Sequence, residues 1–118
     1  MIHRQFEAVK ENMKSMVKYS KSEYNKYKST RNIIYLQQAG EKLFNAIENY
    51  IQFINKLMVG SFYEIKSLVK EQPLRKLLYD AQDLHRFFYR GELEMNIIDA
   101  ENLYKSILIK FEQRIERL

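Results

Sequence analysis

Apolar side chains recur every three or four residues along almost the whole chain, the period that lines up one face of an α-helix. The first run joins Phe6, Val9, Met13, Met16, Val17, Ser20, Tyr24 and Tyr27 and predicts a helix from about Ile2 to Tyr27. Lys28-Ser29-Thr30-Arg31 breaks the pattern. Thr30 is the expected N-cap of the next helix, its hydroxyl accepting a bond from an unpaired backbone N–H. The second run, Ile33, Leu36, Gly40, Leu43, Phe44, Ile47, Ile51, Ile54 and Met58, predicts a helix over about Arg31 to Met58. Gly40 within that stripe points to close approach of a neighbouring helix, because glycine otherwise costs roughly 1 kcal/mol in a helix interior.

Gly60 is expected to stop this helix, and Ser61 to cap a short one from Phe62 to Val69. Pro73 suits the first turn of a further helix, where its missing N–H is harmless. That helix carries Leu74, Leu77, Leu78, Ala81, Leu84, His85 and Phe88 and ends at Arg90-Gly91. Asn96 opens a last helix, with Asp99 three residues on in the manner of a capping box. Its stripe is Ile97, Ala100, Leu103, Tyr104, Ile107, Leu108, Phe111 and Ile115. The two-residue alternation of a strand is missing from every long apolar stretch. The expectation is one all-α domain over residues 1–118, an up-and-down four-helix bundle with one additional short helix.

Composition sharpens this only in places. Hydrophobic residues at 46% and charged residues at 30% mark a chain that folds, and three glycines with one proline favour long helices over many turns. No cysteine is present, so disulfides and thiol chemistry are excluded. The N-terminus lacks the apolar run of a signal peptide, and no apolar stretch approaches the ~20 residues that span a bilayer. A soluble, cytoplasmic protein away from membranes is expected. The abundance of Lys, Glu, Ile and Tyr leans towards a thermophilic source. The net charge of +5 lies wholly within residues 1–31, which hold eight Lys/Arg and three Glu.

Candidate chemistry is sparse. His85, on the apolar face of its helix, suits either a core residue hydrogen-bonded to a neighbouring helix or a proton-transfer group. Its i±3 and i±4 neighbours are Gln82, Ala81, Phe88 and Tyr89, so no metal-ligand set is expected there. No cofactor is expected either. Lys10, Lys14, Lys18 and Lys21 form one line on the first helix, spaced to track a nucleic-acid backbone, with Tyr19, Tyr24 and Tyr27 nearby to stack on bases. Glu7, Glu11 and Glu23 dilute that field. Gln38, Lys42, Asn45, Asn49 and Gln52 form a polar side on the second helix, to meet solvent, a second copy or a ligand. Phe87 points off the apolar stripe, with Tyr89 at its margin. Phe87 is therefore a candidate dimer contact unless the short helix covers it.

Two segments carry a resemblance. One is Gln37-Gln38-Ala39-Gly40-Glu41-Lys42-Leu43-Phe44-Asn45-Ala46; the other is Leu84-His85-Arg86-Phe87-Phe88-Tyr89, followed by an acidic turn and a long terminal helix. Their order resembles the archaeal PaREP-type branch of the HEPN superfamily of nucleotide-binding domains, with its "QA-x-EK" helix, its "LH-x-x-FY" helix end and its final amphipathic helix. The resemblance spans roughly Arg31 to Arg117. It implies an up-and-down helical bundle that forms homodimers. Many such proteins are the toxin-like or partner half of a pair with a small nucleotidyltransferase, and others are metal-independent RNases. Glu41, Lys42 and Asn45 fall within the matching segment, which makes them, with Gln38, Phe87 and Tyr89, the expected ligand or partner surface.

The RNase members carry an Arg followed, after four to six residues, by His. This chain departs from that pattern: nine residues separate Arg75 from His85, and His3-Arg4 stands in the reverse order. Nuclease activity is therefore not carried over. The function expected is a non-catalytic HEPN-like interaction module that dimerises and binds a protein partner such as a nucleotidyltransferase, with nucleotide or RNA contact. One alternative is a divergent RNase in which His85 and Arg75 or Arg86 recreate the motif in space. Another is a basic nucleic-acid-binding protein acting through the first helix.

Overall fold

The structure, a computed structural model, describes residues 2–54, 72–89 and 95–116, with the side chains of 7–53, 73–88 and 95–116. Four helices make up these residues: α1 (Ile2–Thr30), α2 (Ile33–Ile54), α3 (Gln72–Tyr89) and α4 (Ile97–Glu116). No strand occurs among the described residues. The expected short helix from Phe62 to Val69, its cap Ser61, the stops Gly60 and Arg90-Gly91, Met58, and the side chains of His3, Arg4, Phe6, Ile54 and Tyr89 lie outside the described residues.

The helices pack in a closed circuit, α1 on α2, α2 on α3, α3 on α4 and α4 on α1, with α2 and α4 also touching across the centre. Pairs of contacts fix the directions. Ser20 meets Ala39 while Met16 meets Asn49, so α1 and α2 run antiparallel. Tyr27 meets Glu101 while Lys21 meets Glu112, so α1 and α4 are antiparallel too. The C-terminal turns of α3 (Leu84, His85 and Phe88) lie on the first half of α2. The two pairs so fixed follow the antiparallel order of neighbours in a helical bundle. The radius of gyration, 14.2 Å, is close to the roughly 13–14 Å of a compact chain of this length.

The predicted stripes form the core. Met13, Val17, Leu36, Leu43, Ile47, Ile51, Leu74, Leu77, Leu78, Leu84, Ile107, Phe111 and Ile115 are all buried. Tyr104 stands at the centre, fully buried, with its ring stacked on Tyr24 at 4.8 Å between centroids. Ser20, the one serine in the first stripe, is buried without penalty because it donates to the Ala39 carbonyl at 2.7 Å. Its single proton being so used, the Tyr104 hydroxyl donates to Ser20 Oγ at 2.6 Å. Three helices are joined by these two bonds.

Three expectations at helix ends are corrected. Thr30 does not cap the second helix: it is the last residue of α1, donating from Oγ1 to the Lys26 carbonyl at 2.7 Å. Arg31 follows in the left-handed region (φ 58°), the usual C′ conformation, and Asn32 then caps α2 by accepting the Ile34 N–H at 3.1 Å. The first helix thus runs three residues further than its stripe. Ile33, placed on the buried stripe by its period, is 47% exposed because it sits at the end of the bundle. By contrast, Asn96 and Asp99 do form the reciprocal capping box, with the Asp99 N–H on Asn96 Oδ1 at 2.8 Å and the Asn96 N–H on Asp99 Oδ2 at 3.4 Å.

Candidate functional site

The seam between α2 and α3 holds the densest chemistry. Gly40 makes it possible: a Cβ there would stand 3.1 Å from Leu84 Cδ2 and 3.9 Å from the Phe88 ring. The close approach expected from that glycine is present. One residue further on each helix, His85 Nδ1 meets Glu41 Oε2 at 2.9 Å, and the imidazole packs on Phe44 with centroids 5.1 Å apart. Both His85 and Glu41 side chains are 30% exposed, so the pair lies at the rim of the seam. Glu48, two turns on from Glu41 along the same face of α2, completes the cluster. Burial pushes the Glu48 carboxyl above its usual range, and the charge of Glu41 pushes it further, while His85 opposes them.

The other residues of the expected ligand surface are divided between neighbours. Lys42 sits one residue past Glu41 and turns to the opposite side, its Nζ 5.1 Å from the centroid of the Tyr19 ring on α1. Asn49 also turns to α1, with Nδ2 donating to Met16 Sδ at 3.3 Å. Gln38 is exposed and Asn45 half-buried. Phe87 is half-buried, edge-on to Phe88 at 4.9 Å and packed against the core. Thus Glu41 and His85 are brought together, and Glu41 and Lys42 are separated.

The arginines of the alternative RNase reading are placed less closely. Arg75 and His85 stand ten residues apart on one continuous helix, a rise of about 15 Å. Arg86 is adjacent in sequence to His85, and its charge acts on Asp83 one turn back, where burial and Asp80 raise the carboxyl pKa and Arg86 and Lys76 oppose them.

The lysine line of α1 has different company from that expected. Lys14, Lys18 and Lys21 line a groove of about 250 Å³ between α1 and α4, with Val17 and Ile115 as apolar walls and Glu112 and Glu116 opposite. Lys21 Nζ is 2.8 Å from Glu112 Oε2, and Lys14 is 4.0 Å from Glu11. Lys10 is half-buried. The groove is therefore of mixed sign. Tyr24 and Tyr27, expected near bases, are 8% and 3% exposed and belong to the core; the Tyr27 hydroxyl donates to Glu101, which also meets Arg31 at 3.4 Å. Glu23 does not dilute an exposed field either, being buried beside Lys26 at 3.2 Å.

The sequence reading missed Glu48, Glu112 and Glu116. For Glu48 a signal existed, its seven-residue spacing from Glu41 on the face that meets His85. For Glu112 and Glu116 none did, because only the packing of α4 on α1 brings them to the lysines. Among the described residues no cluster of three or more His, Cys, Asp or Glu could hold a metal ion, and no helix is long and apolar enough to cross a membrane. No family model, curated protein or solved structure matches the chain.

Proposed function

We propose that this chain is a non-catalytic helical interaction module of HEPN type, which pairs with a second copy and docks a protein partner of the nucleotidyltransferase class, with nucleotide or RNA contact secondary. The observation that carries the reading is the use of the two resembling segments on each other. Gly40 admits Leu84, Glu41 holds His85 Nδ1, and Phe44 takes the imidazole face. The residues that mark the resemblance therefore build one helix–helix seam, and the histidine serves as its polar tie. A module built this way presents its exposed side chains to partners and keeps its histidine for cohesion.

The test is incubation of purified protein with end-labelled RNA at low salt, alongside mixing with a small nucleotidyltransferase and separation by size. The expected result is a mixed complex and intact RNA. Cleavage abolished by His85→Ala would overturn the reading. One observation favours that second reading, a divergent RNase: a carboxylate-held imidazole at the rim of a seam is an arrangement that orients a histidine for proton transfer.

A further inference from the structure

The outer face of α4 carries Lys105, Ile109, Glu112 and Glu116, spaced by four, three and four residues, so that they fall on one line along the helix. Lys105 and Glu116 are exposed, and neither has an ion-pair partner among the described residues. Ile109 is 56% exposed, an apolar side chain in the middle of a charged line. Beside this line runs the groove walled by Val17 and Ile115. Its volume of about 250 Å³ falls below the roughly 300–1,000 Å³ of small-molecule sites. Its two glutamates also work against a polyanion.

From the self-complementarity of this line we infer that the α1–α4 face is a two-fold interface with a second copy of the chain, in which the two α4 helices lie antiparallel. A two-fold axis makes each contact twice, so a face that is basic at one end and acidic at the other matches itself when reversed. Lys105 of one copy then stands opposite Glu116 of the other, in both directions. In this register Ile109 of one copy lies opposite Glu112 of the other, and the two Ile109 side chains stand about 4.5 Å apart along the helices, near enough to touch beside the axis. Glu112 also lies near the axis, where its charge is already met by Lys21 of its own chain. The rival register, with Ile98 on the other copy's Ile109, sets Lys105 opposite Asn102 instead of Glu116 and so gives up the charge match.

This inference rests on the dimerisation proposed above and assigns it a surface. The stretch from Lys105 to Glu116 is about 17 Å long, which makes a small interface and a concentration-dependent dimer. The experiment is sedimentation of wild type, Lys105→Glu, Glu116→Lys and the double variant across micromolar to sub-millimolar concentrations, with circular dichroism to confirm folding. A wild-type dimer is expected, with each single reversal weakening association by about tenfold or more through like-charge contact and the double variant restoring it. A dimer that survives both single reversals would overturn the α4 face while leaving dimerisation standing. A wild type that is monomeric throughout would overturn both. In the same samples, a monomer that shifts end-labelled RNA, with the shift lost in Lys14→Glu plus Lys18→Glu, would give the groove to a polyanion instead.

Discussion

His85 and Glu41 reach each other across a seam whose width is set by the missing side chain of Gly40. Removing the imidazole deletes a hydrogen bond and the packing on Phe44, and it leaves Glu41 and Glu48 without the group that opposes their mutual repulsion. His85→Ala is therefore expected to lower stability by about 1–2 kcal/mol, read as a lower melting temperature. An unchanged melting temperature would remove the structural role assigned to this residue. Gly40→Leu tests the seam itself. Leu84 is 1% exposed and the Phe88 ring stands 3.9 Å from the added Cβ, so there is little space for a larger side chain. Overpacking of this kind costs about 1–3 kcal/mol, a loss that chemical denaturation would measure. Glu48 runs the other way. Its raised pKa means that ionised Glu48 disfavours the folded state, so this penalty is absent at low pH and grows as pH rises through the folded pKa. Glu48→Gln should be neutral to stabilising at pH 7, with the advantage disappearing below about pH 4.

At the scale of elements, the period of the apolar residues is a direct image of burial wherever a helix is flanked on its length. Leu36, Leu43, Ile47 and Ile51 are read from the sequence and are all buried. Depth at helix ends is not carried by the period, which is why Ile33 continues the stripe in sequence and leaves it in space. Caps divide in the same way. Asn96 and Asp99 are legible because two residues answer each other at fixed spacing, whereas Thr30 and Asn32 are both good N-caps and the choice between them depends on the backbone of Arg31. Once Arg31 adopts positive φ to end α1, only Asn32 is placed to accept the Ile34 N–H. Asn32→Ala should therefore cost about 1 kcal/mol and Thr30→Ala distinctly less, by thermal or denaturant unfolding of the two variants side by side. Equal losses would return the cap to Thr30.

For the whole molecule, the tie that period and spacing leave unread is the hydroxyl chain from Tyr104 through Ser20 to the Ala39 carbonyl, which joins α4, α1 and α2. Each residue is visible in its own stripe, but their meeting depends on how three helices turn about one another, just as the mixed-sign groove depends on α4 lying against α1. This tie has a signature in pH. Burial, the largest cause, pushes the Tyr104 hydroxyl from 10.0 up to about 12. Tyr27 is raised in the same direction by burial and by its bond to Glu101. A folded pKa above the unfolded value means that the native state holds the proton more tightly, so this contribution is complete below pH 10 and is lost as pH rises from there through about 12. Tyr104→Phe keeps the ring against Tyr24 and leaves Ser20 bonded to Ala39, so it should fold and lose only about 1 kcal/mol near pH 8. The two proteins share every other titratable group, and above pH 10 only the wild type must ionise a buried phenol at this site. Denaturation midpoints taken from pH 8 to pH 11 should therefore converge, the wild type falling more steeply. Parallel curves would show that Tyr104 keeps an ordinary pKa and that the centre of the bundle is wetter than its packing indicates.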